Sequence, residues 1–110
     1  EIDRIKEAMK QERFIQRILT PKEIEQMSTM NKERQAEFLA GRFAAKEAIS
    51  KAWGTGIGEV SFQDLEVLAN EYGAPYFSAS PHQGQTQLSI THTRDVAMAM
   101  VILVDDNRKD

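Results

Sequence analysis

Glu47 and Lys51 stand four residues apart in the middle of the chain, inside a segment whose apolar residues recur with helical spacing. That spacing brings two side chains to the same side of a helix, one turn apart. A carboxylate can hold a divalent cation and a nearby ammonium can approach phosphate groups, so the pair could serve phosphate chemistry. An exposed ion pair worth only about 0.3–0.5 kcal/mol has the same spacing. Periodicity alone leaves both interpretations open.

The helix that carries this pair is predicted over residues 31–53. Asn31 can cap its first turn, and Gly54 can end it in the left-handed conformation. At about 100° per residue, an apolar arc separates from a polar face that holds both charged residues. The apolar arc consists of Phe38, Ala45, Ala48, Ile49, Ala52 and Trp53. The polar face consists of Lys46, Glu47, Ser50 and Lys51.

Two shorter helices are predicted before it. Ile2, Ile5 and Met9 recur at three- and four-residue spacing, which favours an amphipathic helix over the first dozen residues. Thr20 and Glu23 can form a capping box around a proline, so a short helix should begin there and end near residues 28–30.

The second half of the chain alternates polar and apolar residues, as strands do. A hairpin is predicted over residues 65–79, a polar loop over 80–87, and further strands over 88–92 and 96–104. The last strand is apolar on both faces, which predicts that Met98 and Met100 are core residues and that an oligomer covers one face. The predicted fold class is therefore α+β, a helical first half packed on a small antiparallel sheet.

Composition limits the classes of function. The 110 residues suit one domain, and 41% hydrophobic with 28% charged residues is typical of a soluble globular protein. The chain has no Cys, which excludes disulfides and thiolate metal sites and favours a cytoplasmic location. No apolar run is long enough to predict a membrane span. A net charge of −3, without a basic stripe interleaved with aromatics, argues against nucleic acid as a partner.

The basic residues are concentrated in the first half of the chain. Residues 1–53 carry 11 Lys and Arg against 9 Asp and Glu, whereas residues 54–110 carry 3 against 8. A basic cluster near the N-terminus could receive an acidic protein, or it could be a solvated helix face. The members of this cluster are Arg4, Lys6, Lys10, Arg13 and Arg17.

Three further features give weaker signals. The glycine-rich loop at residues 54–58 lacks the Lys-Ser/Thr ending of a Walker loop and follows a helix instead of opening one. His92 ends a strand beside hydroxyl side chains and could be a functional or a structural histidine. His82, in a polar loop, is predicted to be solvated. Neither histidine has a partner at metal-ligand spacing, so a zinc site is not expected.

Read together, several stretches resemble the signature of the holo-(acyl-carrier-protein) synthases, the small trimeric branch of the 4′-phosphopantetheinyl transferases. They are FLAGRFAAKEA at residues 38–48, SKAWGTGIG at 50–58 and SFQD at 61–64. SITHT at residues 89–93 is similar to the family's second motif, and residues 13–20 match its N-terminal segment. The likeness runs in order over nearly the whole chain, which makes it far more specific than any single motif.

The resemblance implies magnesium-dependent transfer of 4′-phosphopantetheine from coenzyme A to a serine of apo-acyl carrier protein, releasing adenosine 3′,5′-bisphosphate, in fatty acid biosynthesis. The metal would be held by Glu47 and by an Asp in an opening strand of the type Gly-Ile-Gly-x-Asp, which would precede Glu1. Lys51 and His92 would join Glu47 as catalytic residues, and the proton acceptor stays open between Glu47 and a metal-bound water. Contacts to coenzyme A are implied for Arg42, Ser50, Lys51, Gly54, Pro75, His92 and Thr93.

The same resemblance supplies partners for the chain. Acyl carrier proteins are strongly acidic, and the family's docking face is matched by Arg4, Met9, Arg13, Phe14 and Arg17. The resemblance also implies one 4′-phosphopantetheinyl transferase domain over residues 1–110, lacking an N-terminal strand, in a homotrimer with sites between subunits. Two rivals stay open: another Mg²⁺-dependent enzyme acting on a nucleotide diphosphate, and a non-catalytic docking module for an acidic protein.

Overall fold

The chain folds into helices in its first half and strands in its second. The structure, a computed structural model, describes residues 2–8, 10, 12–54, 61–82, 84–93 and 95–104. The helices are α1 (Ile2–Ala8), α2 (Glu12–Ile18), α3 (Pro21–Met27) and α4 (Lys32–Trp53). A 3₁₀ turn, Phe62–Asp64, precedes the strands β1 (Glu66–Ala69), β2 (Pro75–Ala79), β3 (Gln85–His92) and β4 (Ala97–Val104). The predicted α+β class is confirmed.

The helix boundaries follow the capping residues. The Thr20 side chain accepts the Glu23 N–H, and the Glu23 carboxylate accepts the Thr20 N–H, which closes the predicted capping box of α3. Asn31 caps α4 at its start, and Gly54 ends it with a φ of 98°. These predictions are confirmed. The prediction of one helix over the first dozen residues is wrong, because α1 ends at Ala8 and a separate helix follows.

The strands form two antiparallel pairs, β1 with β2 and β3 with β4. The predicted hairpin is β1–β2. Gln85, predicted to lie in a loop, instead begins β3, because the ladder with β4 continues to the pair Gln85 and Val104. His82, predicted to be solvated, also lies close to this end of the ladder, with its Nε2 2.9 Å from the Val104 carbonyl oxygen.

Within the described chain, β4 is covered on one face. Val101 and Leu103 pack against a small buried cluster formed by Ile49 of α4 and Leu65. Met98 and Met100 alternate with the covered residues and are 65% and 66% exposed. The prediction that these two methionines are core residues is therefore wrong for the single chain, since successive side chains of a strand point to opposite faces.

The main core lies where the four helices converge. Ile2 of α1, Ile18 of α2, Met27 of α3 and Leu39 of α4 are buried in one cluster. This packing fixes α4 against the shorter helices on one side, while β4 packs along it on another. No helix in the described ranges combines the length and the apolar character needed to cross a bilayer.

Candidate active site

A cleft of about 760 Å³ runs along α4, between α1, α2 and the start of β4. Its walls are largely small and apolar, and include Ala44 and Ala97. The charged residues that line it, among those that the structure describes, are Arg4 from α1, and Glu47 and Lys51 from α4. Charges beside low-dielectric walls interact more strongly than charges in open water, so the cleft is suited to recognise a charged group.

The structure brings Glu47 and Lys51 to the same cleft, as their spacing on a helix predicts. Phe14 of α2 and Phe43 of α4 lie in the same wall. The Phe43 ring stacks on Phe62, with 5.4 Å between the ring centroids. The described residues that line the cleft thus belong to packed helices and to β4, which favours precise placement of its charged groups.

The predicted polar face of α4 is divided between the cleft and the interior. Ser50 is buried, and its hydroxyl donates to the Lys46 carbonyl oxygen at 2.8 Å. Lys46 is buried as well, so the prediction that both belong to one face with Glu47 and Lys51 is wrong. Lys46 precedes Glu47 by one position, and Ser50 precedes Lys51 by one position. Neighbouring residues of a helix point about 100° apart around its axis, so one of each two can be buried while the other lines the cleft. At the other edge, Ala52 and Trp53 of the predicted apolar arc are exposed.

Arg42 lies inside the fold and not among the described residues that line the Glu47 cleft. Its Nε donates to the Val67 carbonyl oxygen at 3.2 Å, and its guanidinium carbon lies 3.8 Å from the centroid of the Phe38 ring. Arg42 is only 8% exposed, and this burial lowers its pKa to about 10.

His92 and Thr93 lie at the turn between β3 and β4. His92 Nδ1 is 3.8 Å from Glu37 Oε2, and Glu37 precedes Glu47 by ten residues, about 15 Å along α4. Arg34, one turn earlier on α4, donates a hydrogen bond to Glu37 and thereby lowers the pKa of that carboxyl. The Thr93 hydroxyl oxygen accepts two N–H groups of its own turn. Neither residue is among those that line the cleft, and neither is Pro75, the first residue of β2.

The residues predicted to dock an acidic protein lie beside the cleft. Arg13, Phe14 and Arg17 line a surface recess of about 550 Å³ on α2. Phe14 also lines the cleft along α4, so the recess and the cleft meet at its ring. Met9 lies outside the described residues, as does the glycine-rich loop after Gly54.

A buried ion pair next to Glu47 was not predicted from the sequence. Lys46 Nζ lies 2.7 Å from Glu23 Oε1, and both side chains are fully buried. From the sequence, Glu23 is expected only to cap α3. The sequence contains one indication that Lys46 is buried: apart from Lys46 and Glu47, residues 43–49 are all apolar.

A magnesium site is compatible with the cleft. The described residues hold no group of three or more carboxylate and imidazole side chains that could bind a metal without other ligands. Mg²⁺ usually takes one or two carboxylates and completes its coordination with phosphate oxygens and waters. Among the residues of known position, Glu47 supplies the cleft with a carboxylate, so it fits a metal that is bound together with a phosphate ligand.

Residues 1–101 match the 4'-phosphopantetheinyl transferase superfamily. A holo-[acyl-carrier-protein] synthase of Enterococcus faecalis is 56% identical over 104 residues, which cover 94% of this chain and 89% of that protein. The chain therefore belongs to the 4'-phosphopantetheinyl transferase superfamily.

Two crystal structures share the fold. A holo-(acyl-carrier-protein) synthase from Bacillus anthracis in complex with CoA (3',5'-ADP) has a TM-score of 0.86 and 45% identity, covering 94% of this chain and 88% of that one. The Helicobacter pylori synthase in complex with coenzyme A has a TM-score of 0.81 and 31% identity, covering 94% and 93%. Within the superfamily the chain belongs with the holo-(acyl-carrier-protein) synthases, and the prediction from its motifs is confirmed.

Proposed function

We propose that the cleft along α4 is where this chain performs the reaction of its family. The chain transfers 4′-phosphopantetheine from coenzyme A to acyl carrier protein, the activity of holo-(acyl-carrier-protein) synthases. The observation that carries the location is the pair Glu47 and Lys51, one turn apart in a largely apolar cleft. The two solved relatives that hold coenzyme A or its 3',5'-ADP portion support a nucleotide ligand for this fold.

The reaction requires positioning and charge neutralisation more than covalent help. The hydroxyl oxygen of the carrier serine forms a bond to the β-phosphorus of coenzyme A while its proton passes to Glu47 or to a water, and the bond from that phosphorus to the departing adenosine 3′,5′-bisphosphate breaks. Negative charge develops on the departing phosphate oxygen. The Lys51 ammonium, held on a rigid helix, neutralises charge on the diphosphate.

In this proposal Glu47 would hold the magnesium ion, in the same cleft as Lys51. When bound, the ion supplies neutralisation of the diphosphate's charge. Glu47 fits this role because its carboxylate lines the cleft from the middle of α4, where neighbouring turns of the helix are packed on both sides.

The remaining coenzyme contacts are proposed to form at the boundary between subunits of a homotrimer. By family likeness Arg42, Pro75, His92 and Thr93 belong to the nucleotide site, yet they lie away from the Glu47 cleft of their own chain. Met98 supports a shared site, because it both lines the cleft and belongs to the exposed face of β4. A second copy packed on that face would stand at the mouth of the cleft. Gly54, exposed at the end of α4, contributes a backbone contact, whereas Ser50 is buried and supports that end of the helix through its hydrogen bond to the Lys46 carbonyl oxygen.

The acidic carrier is proposed to dock on the basic surface beside the cleft. Arg13 and Arg17 are exposed on α2, and Arg4 lines the cleft itself. Phe14 joins the two surfaces, so a carrier seated on α2 can present its serine to the cleft. Complementary charge speeds encounter and fixes orientation.

Glu47→Gln tests the location of the reaction. Wild-type chain, incubated with coenzyme A, Mg²⁺ and apo carrier, should add the mass of the phosphopantetheine arm to the carrier, as read by mass spectrometry. Glu47→Gln should lower the rate at least about 100-fold, because the amide is a poor magnesium ligand. Glu25→Gln, an exposed position on α3, is the matched control and should keep the wild-type rate.

Each possible result has a distinct consequence. A wild-type rate in Glu47→Gln, with the variant folded, would remove Glu47 from the reaction. A carrier whose mass does not change with the wild-type chain, while another nucleotide diphosphate is consumed, would favour the rival enzyme. Carrier binding without any transfer by the wild-type protein would favour the docking module.

A further inference from the structure

Lys46 has a buried environment that uses all of its hydrogen-bonding capacity. Its ammonium donates to Glu23 Oε1 at 2.7 Å, to the Ile18 carbonyl oxygen at 2.7 Å and to the Phe62 carbonyl oxygen at 3.1 Å. An ammonium has three donors, and each has an acceptor here. Burial lowers the pKa of Lys46, and the Glu23 carboxylate opposes that effect.

Glu23 is equally well satisfied. Besides Lys46, its carboxylate accepts the Thr20 N–H at 2.8 Å and the Val67 N–H at 2.6 Å. The two side chains therefore link α4 to the end of α2, the start of α3, the 3₁₀ turn and β1. A joint that connects five elements through one ammonium and one carboxylate fixes α4 in direction as well as in distance.

Stability alone is a weak reason for such a pair. Desolvating two charges is costly, and well-packed apolar residues of similar volume often stabilise a fold as much or more. What apolar packing does not supply is a directional constraint, because dispersion forces tolerate small rotations of a helix. The pair thus contributes to the orientation of α4.

Of the charged residues that line the cleft, Glu47 is closest in sequence to this ion pair, because it follows Lys46 directly on α4. A helix is stiff, so a rotation of α4 about its axis carries Glu47 and Lys51 together. A carboxylate about 6 Å from the axis moves about 1 Å for a rotation of about 10°. A misplacement of about 1 Å can cost about 100-fold in rate at a catalytic site.

We propose that Lys46 is a positioning residue, which locks the rotation of α4 through Glu23 so that Glu47 and Lys51 face the cleft. This inference rests on the function proposed for that cleft. Lys46 is buried and does not line the cleft, so it would act on the reaction only by helping to place Glu47 and Lys51.

The absence of cysteine from the chain allows a test of the ammonium alone. Lys46→Cys can be alkylated in denaturant and refolded, once with bromoethylamine and once with propyl bromide. The two products have side chains of nearly equal length and differ in a terminal ammonium or methyl group. Lys46→Met, made without chemistry, is a second route if refolding fails, and Met27→Ala is a core truncation outside the Lys46 contacts that controls for lost stability.

Two readouts separate positioning from stability, both taken below the unfolding midpoint of every variant. The first is kcat for carrier modification at saturating substrates. The second needs no turnover: the affinity for Mn²⁺ with coenzyme A present and carrier absent, followed by electron paramagnetic resonance. We expect the aminoethyl form to match wild type, and the propyl form and Lys46→Met to lose about 10–100-fold in both quantities. Met27→Ala should stay within about twofold of wild type in both.

The outcomes bear separately on this inference and on the function on which it rests. If wild type modifies the carrier while the propyl form keeps its kcat and Mn²⁺ affinity, Lys46 does not position the site. An equal loss in Met27→Ala would assign the effect to stability and would also overturn the inference. If wild type binds Mn²⁺ but modifies no carrier, the proposed function fails, and the Mn²⁺ affinities of the two alkylated forms still decide the role of Lys46.

Discussion

Among the glycines that the structure describes, two hold the backbone in the left-handed region, where most side chains are strained. Gly54 ends α4 with a φ of 98°, and Gly73 lies in the β1–β2 turn with a φ of 85°. A Cβ atom at either position would meet nothing within 4 Å. Alanine at either site should therefore cost only backbone strain, about 1–2 kcal/mol.

Because the expected loss of stability is the same at both sites, Gly54→Ala and Gly73→Ala form a matched pair. We expect both to lower the free energy of unfolding by about 1–2 kcal/mol in urea titrations. Turnover should fall severalfold in Gly54→Ala alone, because the helix end that it disturbs lies three residues after Lys51. Equal turnover in the two variants would show that the end of α4 does not control the site.

Residue spacing predicts the pair Glu47 and Lys51 but not the role of their neighbours. The positions of Lys46 and Ser50 on a helix follow from the sequence, and so does their polarity. Which arc of α4 is buried depends on elements that arrive from distant parts of the chain, such as Glu23 of α3 and the Phe62 carbonyl group. A lysine can be buried only where such partners converge, and a local pattern does not contain them.

Among the elements, those set by local chemistry were predicted best. α3 and α4 begin at caps that the sequence displays, and α4 ends at a glycine. The start of β3 was missed, since the residues that precede Leu88 are polar and join the sheet only through their ladder with β4. Strand ends depend on partners, whereas helix ends depend on the residues themselves.

The helix α2 carries the charges that we propose for carrier docking. Reversing Arg13 and Arg17 to Glu should raise the KM for carrier at least about tenfold at low salt and leave kcat nearly unchanged, because rim charges act on encounter. The difference from wild type should shrink as salt is raised, since screening acts over about 10 Å at 0.1 M. Steady-state kinetics across a salt series measures both effects.

A charge-matched control separates docking from net charge. Lys22→Glu with Lys32→Glu changes the chain's charge by the same amount, at exposed positions on α3 and α4 outside the α2 recess. This control should keep the wild-type KM for carrier. An equal increase in both double variants would mean that overall charge, and not the α2 surface, attracts the carrier.

At the scale of the whole molecule, the outer face of β4 is apolar but is not covered by the described part of the single chain. The strand is apolar on both faces, yet Met98, Met100 and Ile102 stay exposed. The sequence predicts the apolar character and an oligomer that covers one face, but not which face that is, because burial between chains leaves the same pattern as burial within one. Covering large apolar side chains stabilises an assembly by about 1.5–3 kcal/mol each.

Met100→Lys therefore tests the proposed trimer, since a lysine at the centre of this face would have to lose its hydration on assembly. We expect light scattering to give the mass of three chains for wild type and of one chain for the variant. Tyr72→Lys, at the exposed tip of the β1–β2 hairpin, should keep the wild-type mass. Turnover should fall with the mass in Met100→Lys, because in a shared site a lone chain lacks part of the coenzyme contacts. A fully active single-chain form would show that each chain holds a complete site, and the residues away from the Glu47 cleft would then need another role.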